Sequence, residues 1–347
     1  MSSEFVRTSP EDLEAVVPLL LKSFQLPPHA QMVEPALMAW KFFQPRPDWE
    51  GGRSYFVRKD THLIAHGCVF PATFLLASGP VRVNHLGDWA ADKTYPGGGF
   101  RIWSHLSHLT PVMLTVGGSP ATRAMLPKMG YNTAQTWDVY ARVVRPWKQF
   151  RTDPFPRGWK QPLRVFRNKV WSLRSTAGHA GWSARGVQAF DDSITPLLES
   201  RAVLPWIRGA RSPELLNYFL SCPAASFSAY LLVSEEKVRG WFLLSRVRHQ
   251  VRIADIWVES TEPSDWRSAY SVAAEMGVTD PECCEIVAAS SIDIARQAIA
   301  ANGFRHRGAE PVFVYDPKNL LGDLPLQIEM VDGDAAFFID PSYPYLT

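Results

Sequence analysis

Apolar residues recur at helical spacing at Leu13, Val16, Val17, Leu20 and Leu21, which predicts a helix with that stripe turned to a core. Ser9-Pro10-Glu11-Asp12 precedes it and supplies an N-cap, a proline at the first helical position and acids facing the positive end of the dipole. A second helix is expected over 35–43, carrying Leu37, Trp40 and Phe43. From Tyr55 the pattern becomes strand-like: 55–57, a turn near Lys59-Asp60, then 63–77 and 81–91. A glycine-rich loop follows, then a helix over about 101–109, a buried-type strand at 112–116 and a helix over 120–129 stopped by Gly130 at the usual C′ place. Residues 131–144 should return as the last strands of this half.

The second half repeats the pattern. Strand residues 187–190 lead into a helix at 194–198, and 213–220 forms the next. A hairpin over 229–233 and 238–247 turns at Glu235-Glu236-Lys237, and 251–258 is a further strand. Helices are expected at 266–276 and 292–301 with a strand at 285–288 between them, and 312–315 returns to the sheet. The tail from 326 to 347 is apolar enough to pack. Strands with helices between the early and late ones indicate an α/β fold with a mixed sheet in each half.

Three landmarks recur in order. Asp88 in His85-Leu86-Gly87-Asp88-Trp89-Ala90-Ala91-Asp92 is echoed by Asp255 in Arg252-Ile253-Ala254-Asp255-Ile256-Trp257-Val258-Glu259. Trp40-Lys41-Phe42-Phe43-Gln44-Pro45 is echoed by Tyr218-Phe219-Leu220-Ser221-Cys222-Pro223, and Gly130-Tyr131 by Gly303-Phe304. This predicts two tandem copies of one domain, 1–145 and 186–347, joined by a connector at 146–185. Features kept by both copies then point to fold, and those kept by one point to chemistry.

Length and composition suit two globular domains, and the formal net charge of +2 gives no general case for nucleic acid. No stretch is long and apolar enough to span a bilayer, the N-terminus does not read as a signal peptide, and the four cysteines have neither disulfide nor metal spacing. A cytoplasmic protein with reduced thiols is expected. The connector changes this picture locally. Between Arg142 and Arg185 there are eleven basic residues and one acid, Asp153, interleaved with Trp147, Phe150, Phe155, Trp159, Phe166, Trp171 and Trp182. That composition suits an anionic membrane surface or phosphorylated carrier, or a solvated linker whose aromatics pack on the domains.

Tyr95-Pro96-Gly97-Gly98-Gly99-Phe100-Arg101 has no twin in the second half. A glycine loop between strand and helix aims backbone N–H groups at an anion such as a pyrophosphate. The order of strand, glycine loop, helix, buried strand and helix ending in Gly-aromatic resembles the acyl-CoA-binding core of the GNAT N-acyltransferase superfamily, over about 5–144 and more faintly 187–316. Trp89-Ala90-Ala91 is similar to that family's strand. Gly99 matches the fixed first glycine of its Gln/Arg-x-x-Gly-x-Gly/Ala loop, and Gly97 matches an optional one. Pro96 replaces the Gln or Arg, Arg101 the last small residue, Ser119 the usual asparagine, and Leu126 the tyrosine that often protonates the leaving thiolate. Arg101 either crowds the pyrophosphate or pairs with it. In the second half Glu262-Pro263-Ser264-Asp265 stands in place of the loop and Ile299 in place of the tyrosine.

The resemblance implies acetyl-CoA or another acyl-CoA as co-substrate, with contacts from Ala90, Ala91, Gly97, Gly98, Gly99, Phe100, Arg101 and Ser119, and no metal. It implies acyl transfer to the amine of a small metabolite or amino sugar held between the domains. Asp88 is the candidate base, with His85 and Asp92 behind it; the survival of Asp255 without a loop argues instead for a fold role at Asp88. His105 and His108 lack a third ligand, and Cys283-Cys284 reads as core thiols. A Fem-type aminoacyltransferase and a non-catalytic scaffold are the alternative readings.

Overall fold

The computed structural model describes residues 3–153, 161–173, 176–179, 181–199, 204–338 and 344–347. Of the connector's basic and aromatic residues, Phe155, Arg157, Trp159, Lys160 and Arg174 lie outside them. The chain forms two compact units: Met1–Gln135 with Arg208–Ala210 and Pro311–Leu324, and Thr136–Ile207 with Arg211–Glu310 and Pro325–Thr347.

Elements are numbered in chain order. The first unit contains β1 (Ser3–Arg7), α1 (Leu13–Phe24), α2 (Pro35–Phe42), β2 (Ser54–Lys59), β3 (His62–Leu76), β4 (Gly79–Ala91), α3 (Gly98–Leu106), β5 (Val112–Val116) and α4 (Pro120–Met125). Strands β1 to β4 pair antiparallel in sequence order, and β5 joins β4 in parallel. Val312–Tyr315, the end of β13 (Arg305–Tyr315), closes the far side of β5 in antiparallel pairing. Two residues at β8 (Arg208–Gly209) pair with β3. The sheet turns Ile64, Val69 and Leu86 onto Ile102, Trp103 and Leu106 of α3. These last three fall at i, i+1 and i+4, the spacing that puts an apolar stripe on one helix face.

The second unit holds the rest: β6 (Asn132–Val143), α5 (Pro146–Thr152), α6 (Gln161–Ser172), β7 (Trp182–Val187), α7 (Thr195–Leu198), α8 (Pro213–Leu220), β9 (Ser226–Ser234), β10 (Lys237–Val247), β11 (Gln250–Val258), α9 (Pro263–Thr279), β12 (Glu285–Ser290) and α10 (Asp293–Ala301). Its sheet runs β6-β12-β11-β10-β9-β7. The hairpin turn falls where expected, with Glu235 and Glu236 both at positive φ, 50° and 63°, the twist a two-residue hairpin loop needs. The tail packs: Leu326, Ile328, Met330, Val331 and Phe337 are buried.

Several expectations change. The strand expected at 187–190 lies at Trp182–Val187, and the connector expected as a linker carries the helices α5 and α6. Residues 131–144 do form a strand, yet Asp138–Val143 of β6 pairs with β12, and the place beside β5 is taken by Val312–Tyr315. Residue type fixes that a segment is a strand; neighbour and register are set by tertiary packing. The 120–129 helix is also split, with α4 ending at Met125 and a tighter 3-10 turn running from Leu126 to Met129.

Both units share a local device. Between β3 and β4 the register shifts so that Cys68 faces Gly87 and His66 faces Ala90, leaving Asp88 and Trp89 opposite the single residue Gly67. Between β10 and β11 Leu243 faces Asp255 and Leu244 faces Ile253, leaving Ala254 extra. Each is a β-bulge. In each unit, too, the bulged strand meets its parallel partner along three residues: 83–85 with 112–114, and 250–252 with 285–287.

Each bulge carries a buried aspartate held by a buried cation. In the second unit Arg211 Nη2 lies 2.8 Å from Asp255 Oδ1 and 2.9 Å from Asp332 Oδ1, and Trp241 Nε1 donates to Asp255 Oδ2 at 2.9 Å. Burial works against the guanidinium's charge, but Asp255 and then Asp332 raise its pKa above the ordinary value. Replacing Arg211 by Met leaves two buried carboxylates without their cation. We expect Arg211→Met to lower the free energy of unfolding by about 3–5 kcal/mol, read from urea denaturation; a loss below about 1 kcal/mol would mean the pair is replaceable by water.

Candidate functional site

The site is built where β4 leaves β5. The parallel ladder joins Val83, Asn84 and His85 to Val112, Met113 and Leu114 and ends there, while β4 continues to Ala91. His85 sits at the fork, its Nε2 accepting the Val116 N–H at 3.3 Å. Beyond the fork, β4 runs on to Ala91 without its parallel neighbour β5.

Asp88 lies on the bulge with φ 44°, an uncommon conformation for a non-glycine residue. Its Oδ2 is 2.5 Å from Lys41 Nζ of α2, and the two side chains are only 2% and 4% exposed. The Asp88 carbonyl accepts from His66 Nδ1 at 3.1 Å, and His66 Nε2 lies 2.8 Å from Ser54 Oγ. The aspartate is thus tied to α2 through its side chain and to β3 through its backbone. Taking a proton would cost it the ion pair and strand a buried ammonium, so this geometry suits holding the bulge open better than shuttling protons.

Past Ala91 the chain makes a built loop. Asp92 Oδ1 accepts from the Thr94 N–H at 2.9 Å and the Thr94 hydroxyl at 2.8 Å, and Oδ2 takes Lys22 Nζ at 3.0 Å. The Thr94 amide first, then Lys22, holds the Asp92 carboxyl down to about 2, which makes it a weak proton acceptor at neutral pH.

The three glycines have different jobs. Gly97 is the N-cap of α3 at φ 85°, open to glycine without strain. A Cβ on Gly98 would come within 3.0 Å of the Ile64 carbonyl oxygen, so this glycine lets the helix close on β3. Gly99 presents its carbonyl to Trp89 Nε1 at 3.0 Å. Gly98 N donates to Tyr95 O and Arg101 N to Gly97 O. The Gly99 and Phe100 amides lie in the first turn of α3, where no intrahelical acceptor exists. Phe100 is over half exposed, against Trp103 at 5.4 Å. Arg101 Nη1 donates to Ser3 Oγ at 2.7 Å.

Ser119 is the exposed N-cap of α4, its Oγ accepting from the Thr122 N–H at 3.2 Å. Leu126 is fully buried. Tyr131 is buried too; its hydroxyl accepts from Trp103 Nε1 at 3.0 Å, and burial pushes it up to about 12. Ala90 and Ala91 pair with His66 and Ala65 at the end of the β3–β4 ladder. His105 stacks on Phe5 at 4.4 Å, and among the described residues no group of three or more His, Cys, Asp or Glu suits a metal. Cys283 and Cys284 are buried, and burial pushes the Cys283 thiol up to about 12.

In the second unit the start of α9 is acidic. Ser260 Oγ donates to Asp265 Oδ2 at 2.6 Å and accepts from the Glu262 N–H at 3.0 Å. The first turn of α9 therefore carries its own carboxylate.

Sequence reasoning passed over Lys41 and His66. Both left a signal: a lone lysine inside the run 37–43 and a lone histidine inside the run 63–70 are polar residues at core positions, which must be paired.

No protein-family model matches the sequence, and no curated protein matches it. Solved structures do. A GCN5-related N-acetyltransferase from Anabaena variabilis is similar at 12% identity and a TM-score of 0.59, over 90% of this chain and 72% of that one. A protein from Enterococcus faecalis described as a probable N-acyltransferase is similar at 11% identity and 0.55, over 93% and 75%. A GCN5-related N-acetyltransferase from Kribbella flavida is similar at 12% and 0.54, over 91% and 72%. At these identities the likeness is one of fold: the chain has a GNAT-type fold along most of its length.

Burial above all lowers the His66 pKa from 6.5 to about 4, the Asp88 charge only partly opposing it. Between those values the unfolded chain binds a proton that the folded chain refuses. Stability from this residue is therefore whole above pH 6.5 and falls as pH drops toward 4, by on the order of 3 kcal/mol. Urea unfolding at stepped pH should show this slope and His66→Gln should flatten it. An unchanged slope in the variant would mean other groups carry it.

Proposed function

We propose that the protein is an acyl-CoA-dependent N-acyltransferase, with the acyl-CoA on the first unit and a small-molecule amine as acceptor. One observation carries this reading: in the first unit a forked, bulged strand leads directly into a helix whose first-turn amides have no partner within the helix. Those amides and the positive end of α3 suit a pyrophosphate. The freed edge of β4 suits an extended chain bearing amides, by the hydrogen-bonding logic of an added strand. Acyl-CoA supplies both, together with an activated thioester carbonyl.

The residues then have distinct parts. Gly98 lets α3 begin close to β3, and Gly97 takes the positive φ at its N-cap. Lys41 and His66 hold Asp88, and Asp88 holds the bulge that turns a backbone N–H of β4 from its ladder, where it can polarise an acyl oxygen. Asp88 is thus a positioning residue.

The second unit supports a duplicated origin for the chain: strand, bulged strand, parallel strand and buried aspartate recur in the same order. Its acid-filled α9 terminus suits no phosphate. A second reading, an acyl-CoA binder without turnover, is favoured by Leu126, fully buried where a thiolate-protonating tyrosine would stand.

Isothermal calorimetry with acetyl-CoA tests the binding step. We expect binding to the intact chain, weakened about tenfold or more by Gly97→Val, which forces a β-branched residue to positive φ, and unchanged by Ser264→Val. Amine-dependent release of free thiol separates enzyme from binder. Absence of heat at high micromolar acetyl-CoA would overturn both readings.

A further inference from the structure

The helix α6 is mounted with its apolar face outward. Leu163, Phe166 and Val170, with Leu173 just past the helix end, recur at steps of three, four and three, and they are 61%, 72%, 49% and 71% exposed. On the opposite face Asn168 is buried and Arg164 largely so. Asn168 Nδ2 donates to Gln149 Oε1 at 2.8 Å; Arg164 Nη1 reaches Asp153 Oδ2 at 2.5 Å, and its Nε donates to the Thr347 carbonyl at 2.7 Å. An amphipathic helix on a globular protein ordinarily does the reverse. Four large side chains held in water along one face mark an interaction surface.

Charge says what kind. Lys169 shares the exposed face. On α5, the exposed Trp147 carries Arg151 over its ring at 5.3 Å. The connector's one acid, Asp153, is buried in its pair with Arg164. Two copies meeting through this face would bring two cationic segments together. An anionic surface with an apolar interior satisfies both features, and an exposed tryptophan suits the boundary between headgroups and acyl chains. Among the described residues no helix is long and apolar enough to cross a membrane, so the mode would be lying on the surface. We propose that α6 docks the protein on anionic phospholipid bilayers, with Leu163, Phe166, Val170 and Leu173 entering the interface and Lys169 and Arg151 meeting the headgroups.

The test is sedimentation of the full chain with phosphatidylcholine vesicles, with and without phosphatidylglycerol. The protein should pellet with the anionic vesicles, less so as salt is raised, and stay in the supernatant with the neutral ones. Phe166→Glu and Leu173→Glu should each weaken partitioning by about tenfold or more, Lys169→Gln should weaken it less, and Phe166→Leu should retain it. Because these side chains point into water, the melting temperature should not move, which separates lost docking from lost fold. The proposal is overturned if anionic vesicles leave the protein in solution, if neutral vesicles bind it equally, or if Phe166→Glu binds as well as the parent. It is also overturned if the parent chain is a dimer that Phe166→Glu makes monomeric, for the face would then belong to a second copy.

Discussion

The pairing of a buried aspartate with a buried cation at each β-bulge is the constraint on which both units depend. A bulge puts an extra residue into a ladder and leaves it unpaired, so it persists only where something fixes it. In the first unit Lys41 reaches Asp88 from α2 while His66 binds the same residue's carbonyl. In the second, Arg211 spans Asp255 and Asp332, and Trp241 adds a further hydrogen bond. Breaking such a pair from one side costs about 3–5 kcal/mol, against total stabilities of roughly 5–15 kcal/mol for a domain. The two solutions differ chemically. Arginine's planar fork serves two carboxylates at once, whereas lysine offers a point charge to one.

Beyond the bulge the two units diverge. In the first, the strand goes on into a glycine loop and the start of α3; in the second, the first turn of α9 carries Asp265, bonded to Ser260. In the function proposed above, the bulge and its ion pair serve the architecture and the start of α3 meets the ligand. Asp88 and Asp92 are both committed to lysines, which leaves backbone N–H groups, more than side chains, to carry the proposed binding.

Much of this was legible in the chain. Strand and helix periodicity located most elements, but it missed α5, α6 and β8 and placed at 187–190 a strand that runs from Trp182 to Val187. Three things were not legible. The partner of β6 depends on packing that no local pattern encodes, since a strand with buried Trp137, Tyr140 and Val143 can pair with more than one neighbour. The separate duties of the three glycines depend on what lies beside each Cβ, with Ile64 close to Gly98 and nothing close to Gly97. The facing of α6 ran opposite to its pattern, because Asn168 and Arg164 found partners in Gln149, Asp153 and Thr347 that lie far off in sequence or beyond a turn. Lys41 and His66 could have been found by asking what neutralises a polar residue inside an apolar run.

In the function proposed above, the amides at the start of α3 and at the β4 bulge form an acyl-CoA cradle that the second unit lacks. Backbone amide hydrogen exchange with and without acetyl-CoA reads those groups directly. We expect slowed exchange at Gly99, Phe100 and the 86–91 segment of β4, with no change at Ser264, Asp265 and Trp266. Protection confined to the second unit, or spread evenly over both, would contradict the proposal.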